Sequence, residues 1–226
     1  MMIRLFFFIF LFYNPLIAQV NLYKNQPLLL EPNLAGSFGE LRNHHFHSGI
    51  DLRTGGKIGQ PVLAVQDGYL KRLTSKSNGF GMALYIAHPS GHTSVYAHLD
   101  RFQERFHNLL IKNSLERKSN RLDLYFTAND YPVSAGDTIG WSGNSGSSSG
   151  PHLHFEWRDS RTEEPLNPFD YGLAIGEDQV EPKILSIHTK SGQKVNRIWS
   201  DTLVISDWQD LGVEILEQQH LGGPKL

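Results

Sequence analysis

Residues 150–157, "GPHLHFEW", set His152 and His154 two apart inside an apolar run. In an extended strand such positions share a face, so both imidazoles look one way while Leu153, Phe155 and Trp157 look the other. A second stretch, "HSGID", spaces His47 and Asp51 four apart, with Ser48 and Gly49 favouring a loop or strand start over a helix. A third, "VYAHL", brings His98 to the end of a strand-like run. Each is weak alone, because exposed histidines on strands mostly just solvate. Together, two imidazoles and one carboxylate satisfy a tetrahedral divalent ion with its fourth position open, the pattern of a catalytic site. Nitrogen and oxygen donors without thiolate suit Zn²⁺, and Mn²⁺ or Co²⁺ accept the same set. One histidine of the pair is then left free beside the metal, to take a proton from water or to steady charge on a substrate oxygen.

The elements that must position these residues read as short strands. "PVLAVQDGYLKRL", "GMALYIAHPSGHTSVYAHL", "DTIGWSGNSG" and "HLHFEWRD" are rich in β-branched and aromatic residues and are separated by turn signals. Residues 83–98 predict a hairpin with "PSGH" as its turn. The fold class expected is mainly β and antiparallel, a small sheet or sandwich. One segment differs: Phe102, Phe106, Leu109 and Leu110 recur at helical spacing, predicting an amphipathic helix from Arg101 to about Arg117 that caps the sheet, with a strand at "RLDLYF" after it. Past "NPFDYG" the composition shifts, and "EPKILSIHTKSGQKVNRIWSDTLVISDW" predicts a short β-rich tail after a proline-marked linker. His88, His92, His107, His188 and His220 match no motif and read as surface residues. "GNSGSSSG" lacks the lysine and following helix of a phosphate-binding loop and reads as a flexible rim.

The 226 residues suffice for one good domain and an appendage, and an apolar content of 39% fits a globular chain. A formal net charge of −2 gives no basic footprint for nucleic acid. "MMIRLFFFIFLFYNPLIAQV" reads as a secretory signal over residues 1–18, with Arg4 ahead of an apolar run too short to span a bilayer. No stable membrane span is expected after its cleavage. With no cysteine there is neither a disulfide framework nor a lipoprotein attachment site, so an exported chain would rely on its core, a metal, or both.

"HSGIDLRTGGKIGQPVLAVQDGYL", "SVYAHL" and "VSAGDTIGWSGNSGSSSGPHLHFE" together resemble the three blocks of peptidase family M23, the lysostaphin and LytM-like zinc metallopeptidases that cleave peptide bridges of bacterial cell walls. The resemblance covers residues 36–168 in order, and is closest to the long members from Bacteroidetes-type Gram-negative bacteria. It implies one Zn²⁺ per chain held by His47, Asp51 and His154, with His98 and His152 as catalytic imidazoles. His44 and His45 crowd the first ligand, but spacing to Asp51 favours His47. It further implies a metallopeptidase domain over residues 36–176, after a lead-in at 19–35 and before the tail at 177–226. The implied partner is peptidoglycan: walls of that kind lack glycine bridges, so the expected substrate is a stem-peptide cross-link, met in the periplasm or cell envelope. The excursion between His98 and Val133 is longer than in minimal members and is expected to border the substrate groove. The rival expectation is a non-catalytic peptidoglycan-binding module or an activator of another hydrolase; such proteins lose some of the five residues, and here all five are present.

Overall fold

The computed structural model describes residues 26–42, 45–128, 130–173, 183–191, 194–198 and 210–216. The expected signal at residues 1–18 lies outside the described residues, as do His44 and His220. The chain divides into two compact units, Met1–Ile175 and Gly176–Leu226.

The first unit carries, in chain order, β1 (Leu34–Gly36), β2 (Ile50–Arg53), β3 (Pro61–Leu63), β4 (Gly68–Ser75), β5 (Ala83–Ala87), β6 (His92–Ala97) and β7 (Leu99–Phe102). Helix α1 (Glu104–Arg117) precedes β8 (Leu122–Tyr125), β9 (Pro132–Val133), β10 (Thr138–Ser142), β11 (His152–Asp159) and β12 (Pro165–Leu166). One sheet runs β1-β2-β11-β6-β5-β4-β8, with β12 on β11 and β9 on β4, and a second runs β3-β10-β7. All these pairs are antiparallel, as the alternating, turn-punctuated sequence requires. The second unit contains β13 (Lys183–Ser191), β14 (Lys194–Ile198) and β15 (Asp210–Leu216), paired antiparallel in the order β14-β13-β15. Among the described residues no helix is long and apolar enough to cross a membrane.

Central strands are buried on both faces, so they read as continuous apolar runs rather than alternations. Strand β5, "ALYIA", is buried at all its positions. One face of β11 sends Leu153, Phe155 and Trp157 into the core beside Ile50 and Leu52 of β2 and Tyr96 of β6. The rings of Tyr96 and Phe155 meet edge to face at 5.4 Å. The other face of β11 carries His152, His154 and Glu156. That face is covered as well, since His154 and Glu156 are both buried.

Three expectations are corrected here. Helix α1 starts at Glu104 rather than Arg101, because Arg101 and Phe102 are taken up by β7, opposite Trp141 and Gly140 of β10. Gln103 then caps the helix, its side chain accepting from the Arg105 N–H at 2.8 Å. Phe106, fully buried, anchors α1, which rests on β7 and β8. The excursion therefore braces the sheet edge. Finally, His88 is buried, not on the surface: its Nδ1 donates to the Asp67 carbonyl at 2.9 Å, and Ser94 Oγ lies 2.8 Å from its Nε2. Its ring stacks on Trp157 at 5.2 Å.

The approach of the Ser48–Gly49 segment to β11 needs a residue without a side chain. A Cβ on Gly49 would collide with the Phe155 carbonyl oxygen and come within 2.7 Å of Glu156 Cγ. Gly49→Ala is expected to destabilise the fold by about 1–3 kcal/mol through overpacking, read as a lowered denaturation midpoint. A midpoint equal to the parent's would mean that this approach is not held.

Candidate active site

Pairing of β2 with β11 sets His154 opposite Asp51 and His152 opposite Arg53. Residues directly opposed across antiparallel strands share a face, so three of the five predicted residues converge from the pairing alone. His47 arrives from the loop before β2, fixed by backbone bonds from Gly39 N–H to its carbonyl (2.9 Å) and from its own N–H to the Glu40 carbonyl (2.8 Å). Asp51 Oδ1 lies 2.9 Å from His154 Nδ1, 3.2 Å from His47 Nε2 and 3.4 Å from His152 Nε2. His47, Asp51 and His154 offer ligand atoms within 4.8 Å of one another, and all three are buried. His45 is exposed and stays outside this group.

The outer ring nitrogens settle which atoms face inward. His47 Nδ1 is 2.7 Å from the Ser37 carbonyl, which only accepts, so Nδ1 bears the proton and Nε2 a lone pair. His154 Nε2 likewise donates to Glu156 Oε1 at 2.9 Å, turning Nδ1 toward Asp51. Nδ1 of His154 and Nε2 of His47 stand 3.0 Å apart beside a carboxylate oxygen. Only a cation reconciles three such acceptors, and in the protein by itself it is a proton on His154 Nδ1. Burial disfavours that charge, but the carboxylates of Asp51 and Glu156 outweigh it and raise the pKa of His154 above the ordinary 6.5. Burial pushes the Asp51 carboxyl up, yet the rings of His152, His154 and His47 gathered around it hold it far below the usual carboxylate range. Two imidazoles, one carboxylate and tied outer nitrogens fit a divalent ion.

His98 sits where the chain leaves one sheet for the other, between β6 and β7, with φ 58°. A non-glycine residue there is strained and is held by its surroundings. Its N–H donates to the Phe80 carbonyl at 3.0 Å, and its Nδ1 to the Ser145 carbonyl at 2.8 Å, leaving Nε2 for the groove. Burial lowers its pKa to about 4, so the ring is neutral at physiological pH. His152 is anchored the same way, Nδ1 to the Gly150 carbonyl at 2.8 Å, and its ring centroid lies 4.8 Å from that of His98.

All five residues line a groove of about 560 Å³, together with Arg42, His45, Phe80 and Ser147 to Ser149. Phe80 stacks on His154 at 5.0 Å and shields it from water. No described residue of the 99–133 excursion lines this groove, contrary to expectation. The serine-rich stretch is a rim, but a pinned one. Ser145 Oγ donates to the Leu99 carbonyl (2.7 Å) and accepts from Met82 N–H (3.0 Å), and Ser147 N–H donates to the Gly79 carbonyl (2.8 Å). The backbones of Gly81 and Gly146 approach so closely that a Cβ on Gly81 would lie 2.5 Å from Gly146 N. Sequence reasoning missed Arg42, whose Nη2 donates to Asp51 Oδ2 at 2.9 Å, and Glu156. Glu156 continues the every-second-residue series of His152 and His154, a signal that was there to be read; Arg42 carried none.

A folded-state pKa above the unfolded 6.5 gives the metal-free fold an increment of stability that is complete below pH 6.5 and fades as pH rises through the folded value. Metal must expel the same proton, so affinity should climb with pH over that range. Titration calorimetry near pH 6.5 in two buffers of different ionisation enthalpy should show about one proton released per ion bound. Zero release would mean that His154 is neutral beforehand.

The profile of peptidase family M23 matches residues 45–109, the segment that carries His47, Asp51 and His98. DD-carboxypeptidase/endopeptidase Mpg of Neisseria meningitidis serogroup B is 31% identical over 137 residues, which make up 61% of this chain and 25% of that protein. Lysostaphin of Staphylococcus simulans is 29% identical over 144 residues, 59% of this chain and 24% of that protein. The solved catalytic domain of the same lysostaphin superposes with a TM-score of 0.43 at 26% identity, over 62% of this chain and 88% of that one. The chain thus spans about a quarter of the length of these curated relatives. Profile and relatives thus agree that the part of the chain that builds the groove is similar to peptidase family M23.

Proposed function

We propose that this chain is a zinc-dependent endopeptidase, exported to the cell envelope, that hydrolyses peptide cross-links of bacterial peptidoglycan, with the catalytic unit at residues 36–176. The observation that carries the reading is the convergence of His47, Asp51 and His154 with two further anchored imidazoles on one groove floor. A Zn²⁺ held by those three residues would supply Lewis acidity, to polarise the scissile carbonyl and make water a stronger acid. His98, neutral over the physiological range, accepts the proton of the attacking water and passes it to the departing amine. His152, beside Asp51, is the second imidazole at the reacting atoms, and it steadies charge on the carbonyl oxygen only when its Nε2 carries a proton to donate. No covalent intermediate is required. Three serines of the described lining, Ser147 to Ser149, offer hydrogen bonds to a peptide backbone. The bond proposed to be cut is in a stem-peptide cross-link, as the resemblance implies.

Purified Gram-negative murein sacculi, a pentaglycine peptide and casein should be digested side by side. Soluble muropeptides with new amino termini are expected from sacculi alone, abolished by chelation and restored by zinc. Sacculi bound but left intact would make the chain a binding module or activator, and casein cleavage a general secreted protease.

The two histidines of "HLH" should diverge on substitution. His154→Ala is expected to lose zinc and activity together. His152→Ala should keep zinc and lose ~10²–10⁴ in rate, the usual share of one acid–base or oxyanion group. Metal content, muropeptide release and circular dichroism on both variants check this, and loss of zinc from folded His152→Ala would reverse the roles.

A further inference from the structure

Glu156 has no exposed surface, and carboxylates are rarely so buried unless every oxygen is satisfied. Its Oε1 accepts from His154 Nε2 at 2.9 Å and from Ser48 Oγ, and its Oε2 accepts from Arg158 Nε at 2.5 Å. All three partners are donors, a set that only an acceptor-only carboxylate meets in full. Two of them belong to the segments that bear the metal ligands: Ser48 directly follows His47, and His154 shares the strand face. Arg158 supplies the opposite charge at the second oxygen of this buried carboxylate.

We infer that Glu156 is a positioning residue for the metal: from behind the site, it selects Nδ1 of His154 as the ligand atom and ties the His47 loop to β11, so that the ion is held tightly and released slowly. The inference rests on the metal site proposed above. A glutamine at this position always points its amide NH₂ at one of the three donors. If the amide turns toward His154, the Nε2 proton loses its acceptor and the ring is freed to rotate or change tautomer. The structural neighbours of Glu156 are consistent with the tie, since Gly49 lacks the Cβ that would push Ser48 away from it.

Zinc affinity and release rate should be measured by competition with a chromogenic chelator on the full chain and on Glu156→Gln, Ser48→Ala and Asp51→Ala, with circular dichroism on each. Glu156→Gln is expected to bind zinc about 10–100-fold more weakly, the usual effect of removing the partner of a metal-bound histidine. It should also release zinc faster and, with Co²⁺ substituted, show an altered visible absorption band. Ser48→Ala should shift affinity several-fold in the same direction. Folded Glu156→Gln that holds zinc as tightly as the parent overturns the inference. If that variant does not fold, unchanged affinity in Ser48→Ala overturns it instead. Retention of zinc by Asp51→Ala would fail the metal site itself, a different result from failure of the positioning role.

Discussion

Pairing between β2 and β11 admits one register, and everything chemical in this protein depends on it. His154 faces Asp51 across the ladder, and Leu153 faces Leu52 on the reverse side. A slip by one residue would turn the histidines into the apolar core and bring Leu153 and Phe155 to the groove. The core therefore enforces the site: burying Ile50, Leu52, Leu153 and Phe155 on one face leaves Asp51, His152 and His154 no position but the other. Fold stability and site geometry are two readings of the same hydrophobic pattern.

What the register brings together is electrostatically awkward. A buried carboxylate and several imidazoles in one place cost desolvation that packing alone does not return. The surroundings relieve this in layers, with Ser37, Gly150 and Ser145 carbonyls taking the outer protons of His47, His152 and His98, and Glu156 that of His154. Arg42 occupies the outer oxygen of Asp51. The inner atoms of the trio, His47 Nε2, His154 Nδ1 and Asp51 Oδ1, are left close to one another. Strain at His98 belongs to the same arrangement, because a corner between two sheets is the place where a left-handed residue can turn its ring back over the floor.

The shared face of His152 and His154 was legible in the sequence because their spacing follows strand periodicity, and so was the hairpin through "PSGH"; His47 comes from a loop and His98 from a corner, and the resemblance, not periodicity, gave them their roles. The resemblance supplied the division of roles within "HLH" that spacing alone left open. The start of α1 was not legible: helical spacing of Phe102 and Phe106 says nothing of β10, whose hydrogen bonds claim Phe102. Nor was the burial of His88, which depends on Trp157, nearly seventy positions away, offering a ring to stack on. Arg42 reaches Asp51 only because the loop folds back through the Glu40–His47 backbone bonds, a tertiary event with no local signature. The place of the excursion was misjudged for a related reason, since length shows that a segment exists but not which edge it braces.

The interlocked approach of Gly81 and Gly146 has a further consequence for recognition. Two loops joined backbone to backbone, with serine hydroxyls fastening them on either side, have little freedom left to lose when a ligand arrives. The loss of conformational entropy on association then falls on the incoming ligand rather than on the protein. A chain already stiffened by membership in a cross-linked mesh surrenders less of it than a free, flexible peptide of the same composition. If the ligand is the cross-linked polymer proposed above, rigidity at this rim would favour it over a free peptide, independently of any side chain that the groove presents.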